Sequence, residues 1–495
     1  MLGLLQSEGE SAVHLAKVFA ISIACISLFT FAYRLAFDPL RDIQGPFLGR
    51  FTRLWELQQI TSGGWHQKII KLHKQYGSIV RIGPGRYDFS SPEAIKVIYS
   101  MSSGFPKSHF YDTFGTPGSK TILKEIHNSS HSLMRRKSAA LYSMTTLLSY
   151  ESAVDDQNVV LENKFKDFAK QGRTINLPNF MQLYAFDVVA NITSAESLNM
   201  MISEMDTYGL ITAIDYMHDY VNLVGVYYEW HSFIYKILML LGRTPPTTGL
   251  YNYISGKIEA RRQQPDRYIG ADFLSKLLKL EKEGKIESED VFGTFANNVI
   301  AGSDTTGISL GGLIYQIYEH PNVLAKLRDE LQQHESRGEI SDPVKFSESQ
   351  SLEYLQAVIK EGLRIHPAVG KQLARTVPPG GKVIEGRFFP EGTEVGSNAW
   401  AVHFDEDTYG SDVWVFRPER WLSKTEQVPD RASSFAFGAG TRQCLGKNIS
   451  LLEITKVLPQ IYRNFDIEIV GGAGKTKYTS SWFVKQEYNA RIFIR

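Results

Sequence analysis

"FAFGAGTRQCLGKNIS", Phe435 to Ser450, sets one of the chain's two cysteines in a glycine-rich loop just ahead of an amphipathic helical run. A thiol at a helix N-terminus feels the positive end of the helix dipole, and the flanking Arg442 and Lys447 press its pKa the same way. Gly438, Gly440 and Gly446 permit tight turns with positive φ and let backbone N–H groups face the sulfur. Cys444 is therefore expected to be an anion. Attack by the thiolate, or thiol redox chemistry, would want a His or a second Cys nearby. The nearest upstream histidine is His403, and no CxxC occurs. The cysteine count also excludes a four-cysteine zinc site. Ligation through one sulfur remains, with a buried inert cysteine as the other reading.

The rest of the composition frames that loop. The chain has 495 residues, and no repeat, low-complexity tract or long linker divides it after residue 60, so residues 61–495 read as one catalytic domain. Lys and Arg total 54 against 53 Asp and Glu, which gives no global drive toward nucleic acid. Hydrophobic residues at 43% and aromatic residues at 12% suffice for a large core and for an apolar pocket beside it.

The N-terminus stands apart. "VFAISIACISLFTFAY", Val18 to Tyr33, is uncharged and reaches about one bilayer span if Arg34 snorkels. A cleaved signal peptide is the competing reading, but Arg34, Pro39, Arg41 and a Gly45-Pro46 turn follow in place of a small-residue cleavage site. Residues 1–37 are thus expected to be a membrane anchor with a single transmembrane helix, and 38–60 a hinge containing Pro and Gly. Arginines 34, 41, 50 and 53 follow the span, so the positive-inside rule leaves the main body in the cytoplasm. There Cys25 and Cys444 stay reduced, and the sequons at Asn128, Asn191 and Asn448 are expected to be chance.

The apolar spacing predicts a mainly α fold with a minor β part. A hairpin is expected about Gly83-Pro84-Gly85, followed by a helix with Ser91 as N-cap and Pro92 at its first position. Further strands are expected within 381–400, around a Pro-Glu-Gly turn at 390–392, and at the C-terminus. One helix is predicted to run from an N-cap at Ser288 to just before Pro321, about 48 Å, and so to cross the whole molecule. At its centre "AGSDTT", Ala301 to Thr306, puts a carboxyl and a hydroxyl into an apolar run. Either Asp304 and Thr305 serve chemistry there, or Thr305 bonds back to a carbonyl one turn earlier and Asp304 pairs with a distant base. Glu361 and Arg364 in "EGLR" share one helix face, and Arg420 in "FRPERW" could join them in a buried ionic triad.

Taken in order, these segments resemble the cytochrome P450 family. "FAFGAGTRQCLG" is similar to its haem-binding signature, with Phe437, Gly440, Arg442, Cys444 and Gly446 in place. "AGSDTT" resembles its oxygen-activation segment, and "EGLR" and "FRPERW" its Glu-x-x-Arg and Pro-Glu-Arg elements. The stretches around residues 75–99 and 444–456 look most like fungal microsomal members that serve secondary metabolism or detoxification.

The resemblance implies a long central helix over haem b, with Cys444 as the axial thiolate on iron. It also implies a monooxygenase that inserts one atom of O2 into an apolar small molecule. Asp304 and Thr305 would relay protons, and Gly302 would leave room for the bound dioxygen. Where many members carry Trp-x-x-x-Arg, "HSLMR" offers His131 and Arg135, which with Arg375 and Arg442 would hold the haem propionates. Since no flavin or nicotinamide fingerprint occurs, electrons would come from the NADPH-cytochrome P450 reductase, docking on Arg135, Arg136, Lys137, Arg442 and Lys447. The location implied is the endoplasmic reticulum membrane, single-pass, with the catalytic domain cytoplasmic. By position, Phe105, Tyr111, Tyr216, Tyr220, Phe295, Asn298, Val369, Trp482 and Phe483 are candidates for the distal pocket. A haem-thiolate isomerase, or a haem-binding protein without oxygenation, is the alternative function.

Overall fold

The computed structural model describes residues 36–243, 247–264, 272–422, 434–472 and 476–495, together with isolated positions between 14 and 32. The span expected from Val18 to Tyr33 falls mostly outside these. Among the described residues, no helix is long and apolar enough to cross a membrane.

Helices dominate and the sheets are small. The predicted hairpin pairs Ile79–Gly83 with Arg86–Phe89, with Ile79 opposite Phe89 and a register break at the turn end. Glu394–Gly396 adds in parallel to Arg86–Phe89, and Arg375–Thr376 completes this four-stranded sheet. Ser91 caps the helix Pro92–Tyr99 by accepting from the Ala94 N–H at 3.1 Å. The C-terminal strand Asn489–Ile494 lies between Thr174–Asn176 and Phe465–Val470.

The central column runs over residues 288–319 in three parts: an α-helix Ser288–Asn297, a π turn Asn298–Gly302 and an α-helix Ser303–Glu319. Its start differs from the expectation by one residue. Glu287 is the N-cap, in a capping box with Asp290, while Ser288 is already helical and its hydroxyl donates to Glu281. The column packs along the helix Leu177–Ser194, nearly all of which is buried. Their closest approach requires Gly307, where a Cβ would meet the Gln182 Cα at 2.6 Å. The segment "AGSDTT" is therefore locked at the middle of the core.

Candidate active site

The cysteine loop is held from behind. Glu361 is fully buried, and its carboxylate accepts five hydrogen bonds: two at 2.9 Å from Arg364, one at 2.9 Å from Arg420 Nε, one at 3.0 Å from the Arg417 N–H and one at 2.9 Å from Trp421 Nε1. Burial alone would raise its pKa, but the two guanidinium groups and these donors bring it below the ordinary value. The triad expected from spacing is present, and Trp421 and the Arg417 backbone complete it. Arg364 also donates to the carbonyl of His403 at 2.9 Å, and His403 Nδ1 lies 3.0 Å from the Arg364 carbonyl. His403 Nε2 then accepts from the Phe435 N–H at 2.9 Å. A buried ion cluster is thus tied, through one histidine, to the first residue of the cysteine loop.

Within the loop the Cys444 N–H donates to the Phe437 carbonyl at 2.9 Å, and Arg135 donates to the Gln443 carbonyl at 2.9 Å. Gly440 has φ +66°, and a Cβ there would lie 1.6 Å from the Tyr99 carbonyl oxygen, so no other residue fits. Gly446 is the N-cap of the helix Lys447–Asn464, and the backbone N–H groups of Gly446 and Lys447 are turned to the sulfur. Burial pushes the Cys444 thiol up, against those N–H groups, Arg135 and Lys447, so a cation bound at the sulfur would complete its ionisation.

Cys444 is deep in the protein yet carries open surface, and Ala301, between the buried Val299 and Ser303 of the column, is exposed too. Near Cys444, His131, Arg135, Arg375 and Arg442 come together, and Lys107 joins them. Burial comes first in lowering His131 to about 3, with Arg442, Lys107, Arg135 and Arg375 adding to it. Burial and Arg375 lower Arg442 to about 10, and burial, Arg375 and Arg442 bring Lys107 well below its usual range. Arg442 donates to the carbonyls of Glu125 at 2.7 Å and Ile126 at 3.0 Å, while its buried Nε has no partner among the described residues. Cations that depress one another in the interior, with an orphaned donor among them, call for an anionic group. The two carboxylates of a haem, above a ligating sulfur, meet that demand.

The column departs from the expectation at Gly302, and at Thr305 and Asp304 it shows the back-bond and the distant base of the second reading. The space left by Gly302 is taken by Val189, whose Cγ2 lies 3.3 Å from where a Cβ would stand, so it is Ala301 that borders the open side. Thr305 is partly exposed and donates to the Ala301 carbonyl at 2.8 Å, the bond one turn back, beside the π turn. Its oxygen remains free to accept. Asp304 is fully buried and turned toward Gln182, whose amide donates to it, and toward Lys485 at 3.3 Å. Lys485 in turn reaches Asp215 at 2.5 Å, on the helix Leu210–Val224. Burial raises Asp304 to about 6, with Lys485 opposing and Asp215 assisting.

Of the pocket candidates, Tyr111, Tyr220, Val369, Trp482 and Phe483 gather in one aromatic cage with Phe110, Phe114, Val221, Ile308 and Ala368. The others do not. Phe105 belongs to the core under the four-stranded sheet, Phe295 to the main core, and Tyr216 is 42% exposed. Asn298 faces away, accepting from Tyr142 at 2.5 Å and donating to Thr193 at 3.3 Å. The five-residue docking patch is not assembled either: Arg135 and Arg442 turn inward and Lys137 pairs with Asp290 at 2.6 Å, leaving Arg136 exposed and Lys447 half-buried. The sequon amides of Asn128, Asn191 and Asn448 each donate to a backbone carbonyl. Lys107, Lys485 and Phe110 were invisible in the sequence because only long-range packing brings them to the site.

Known proteins bear on this geometry. The profile of the family described as Cytochrome P450 matches residues 45–493. The chain is 43% identical over 500 residues to a pisatin demethylase of Fusarium vanettenii, covering 99% of this chain and 96% of that protein. It is 32% identical over 495 residues to the cytochrome P450 monooxygenase cicH of Emericella nidulans, covering 98% of each. With the monooxygenase gsfF of Penicillium aethiopicum the identity is 31% over 504 residues, covering 96% of this chain and 98% of that protein. The chain belongs to the cytochrome P450 family, and is a haem-dependent monooxygenase of the class whose iron takes a cysteine thiolate.

Proposed function

We propose that this chain inserts one oxygen atom from O2 into an apolar small molecule, as a membrane-anchored enzyme of the endoplasmic reticulum fed with electrons by the NADPH-cytochrome P450 reductase. The observation that carries the proposal is Cys444, which lies in the interior with the N–H groups of Gly446 and Lys447 turned to its sulfur, close to a buried cluster of cations. When bound there, haem supplies an iron that takes electrons one at a time and reduces dioxygen, so that one oxygen goes to water and the other to substrate.

The chain's own residues divide the remaining work. Cys444 would ligate the iron, and His131, Arg135, Arg375 and Arg442, with Lys107, would hold the carboxylates. The aromatic cage around Trp482 and Phe483 binds the apolar body of the substrate and excludes water. The Thr305 hydroxyl, with its hydrogen committed to Ala301, would accept a hydrogen bond from a protonated oxygen on the open side. Asp304 would restore the protons, drawing on Lys485 and Asp215.

The apolar run at residues 18–33 supports the anchor, and the relatives' names support secondary metabolism or detoxification. Demethylation of pisatin is the first reaction to try, since a hydroxylated methyl group on oxygen is lost as formaldehyde. The test is the full chain in a membrane fraction with reductase, NADPH and pisatin. One O2 and one NADPH consumed per formaldehyde released is expected. The chain lacking residues 1–37 is expected to leave the membrane pellet with its haem. A product isomeric with its substrate, formed without consuming O2 or NADPH, would favour the isomerase reading.

Asp304 gives a pH prediction. With its carboxyl at about 6, the group is a neutral acid below that pH and ionised above it. Proton delivery, and with it the rate of NADPH consumption, is expected to fall as pH rises through about 6. Asp304→Asn should slow the cycle by about 10² and flatten that profile, as measured by NADPH loss between pH 5.5 and 8.

A further inference from the structure

Among the described residues, one set of three metal-ligating side chains brings its ligand atoms within 4.8 Å of one another: Asp215, His218 and Asp304. Two of them come from one helix. Asp215 and His218 stand three residues apart on Leu210–Val224, hence on one face, and that face meets the column at Asp304. His218 is 4% exposed, and its ring meets that of Phe483 edge to face with 4.5 Å between centres, which holds the imidazole in place. The Asp215 side chain is 45% exposed, so an ion has a way in from solvent.

The set is incompletely served as it stands. Gln182 and Lys485 both engage Oδ1 of Asp304, Lys485 at 3.3 Å. The Oδ2 of this fully buried residue has no partner among the described residues. It lies 4.0 Å from Nδ1 of His218, too far for a hydrogen bond and wide enough for an ion between them. Lys485, whose other contact is Asp215 at 2.5 Å, brings one positive charge to two carboxylates. A divalent cation would balance both carboxylates and use the imidazole lone pair as well. One nitrogen and two carboxylate oxygens suit zinc, whose bonds of about 2.1 Å in a tetrahedral set place ligand atoms about 3.4 Å apart. The gap between His218 and Asp304 has to close by about 0.6 Å to meet that spacing. The Lys485 side chain is 24% exposed, so its ammonium can swing to solvent as the ion enters.

We propose that Asp215, His218 and Asp304 form an inhibitory binding site for zinc, which displaces the Lys485 ammonium and takes Asp304 out of proton supply. The effect on turnover rests on the monooxygenase reading; the binding itself does not, because the ligands are the chain's own.

Zinc ion alone is titrated calorimetrically into the haem-loaded full chain, without reductase and in buffer freed of other metals. Two variants should move its affinity in opposite directions. His218→Gln should weaken the tightest binding about tenfold or more by removing a ligand, and Lys485→Met should tighten it about tenfold or more by removing the competing cation. If His218→Gln does not load haem, Asp215→Asn carries its expectation. An affinity that the ligand variant leaves unchanged, or that Lys485→Met fails to raise, overturns the site, since zinc on surface histidines would answer to neither. With reductase and NADPH added, NADPH consumption by the unaltered protein should fall as zinc binds and return with EDTA, while His218→Gln at the same zinc concentration is spared. Zinc bound in the expected pattern without that fall would overturn the inhibitory role and count against Asp304 as proton donor; zinc that does not bind would leave the monooxygenase reading untouched.

Discussion

Thr305→Ala is expected to bind substrate and accept electrons at nearly the unaltered rate, yet to release most of them as hydrogen peroxide. The reason is local. The Thr305 hydroxyl gives its hydrogen to the Ala301 carbonyl at 2.8 Å, so its oxygen is a fixed acceptor on the open side of the column, held beside a π turn. Alanine removes that acceptor while Gly307 and the Leu177–Ser194 helix keep the column in place. Loss of one positioned proton-transfer element costs about 10² to 10⁴, so product formed per NADPH should fall by that order while NADPH consumption continues. Thr305→Ser, which keeps the oxygen, should recover most of the coupling. Unchanged coupling in the alanine variant would reduce Thr305 to a helix-bonding residue and favour the rearrangement alternative. The measurement needs only NADPH, peroxide and product.

Glu361→Gln should be the most damaging substitution away from the open pocket. Gln keeps the shape but not the charge, so Arg364 and Arg420, 2% and 3% exposed, lose the carboxylate between them. Breaking a buried pair in this way costs about 3–5 kcal/mol, roughly 10² to 10³ or more in the folding equilibrium. The damage does not stay local, because Arg364 holds His403 and His403 holds Phe435 at the head of the cysteine loop. A large fall in haem-loaded protein is expected, with a lower urea midpoint for what remains. An equal yield and an equal midpoint would contradict the linkage.

Sequence alone carried the parts of the site whose chemistry is local. Phe437 to Gly446 had to be a loop facing a sulfur, because the glycine spacing and the helix after it permit little else. Glu361 and Arg364 were legible as one helix turn, and Arg420 as their third member, because a buried guanidinium needs a carboxylate. What failed was the assignment of faces. Along the column the residues are apolar on nearly every side, so periodicity could not say that Asn298 and Phe295 turn to the core, or that Val189 takes the space at Gly302. The π turn shifts the faces further, and no residue type announces it. At Cys444 the helix end was visible in the sequence, but the depth of burial that opposes it was not. Lys485 and Lys107 reach the site from about 180 and 25 residues away in sequence from Asp304 and His131, which only the folded chain reveals.

The central claim is that the sulfur of Cys444 ligates haem iron in this chain. It is tested most directly by the absorption spectrum of the reduced, carbon monoxide-treated protein beside that of Cys444→Ser. The unaltered protein should show the strongly red-shifted Soret band of a thiolate-ligated haem, and the serine variant should lose that band entirely. A serine variant that kept it, or an unaltered haem-loaded protein that lacked it, would contradict the account.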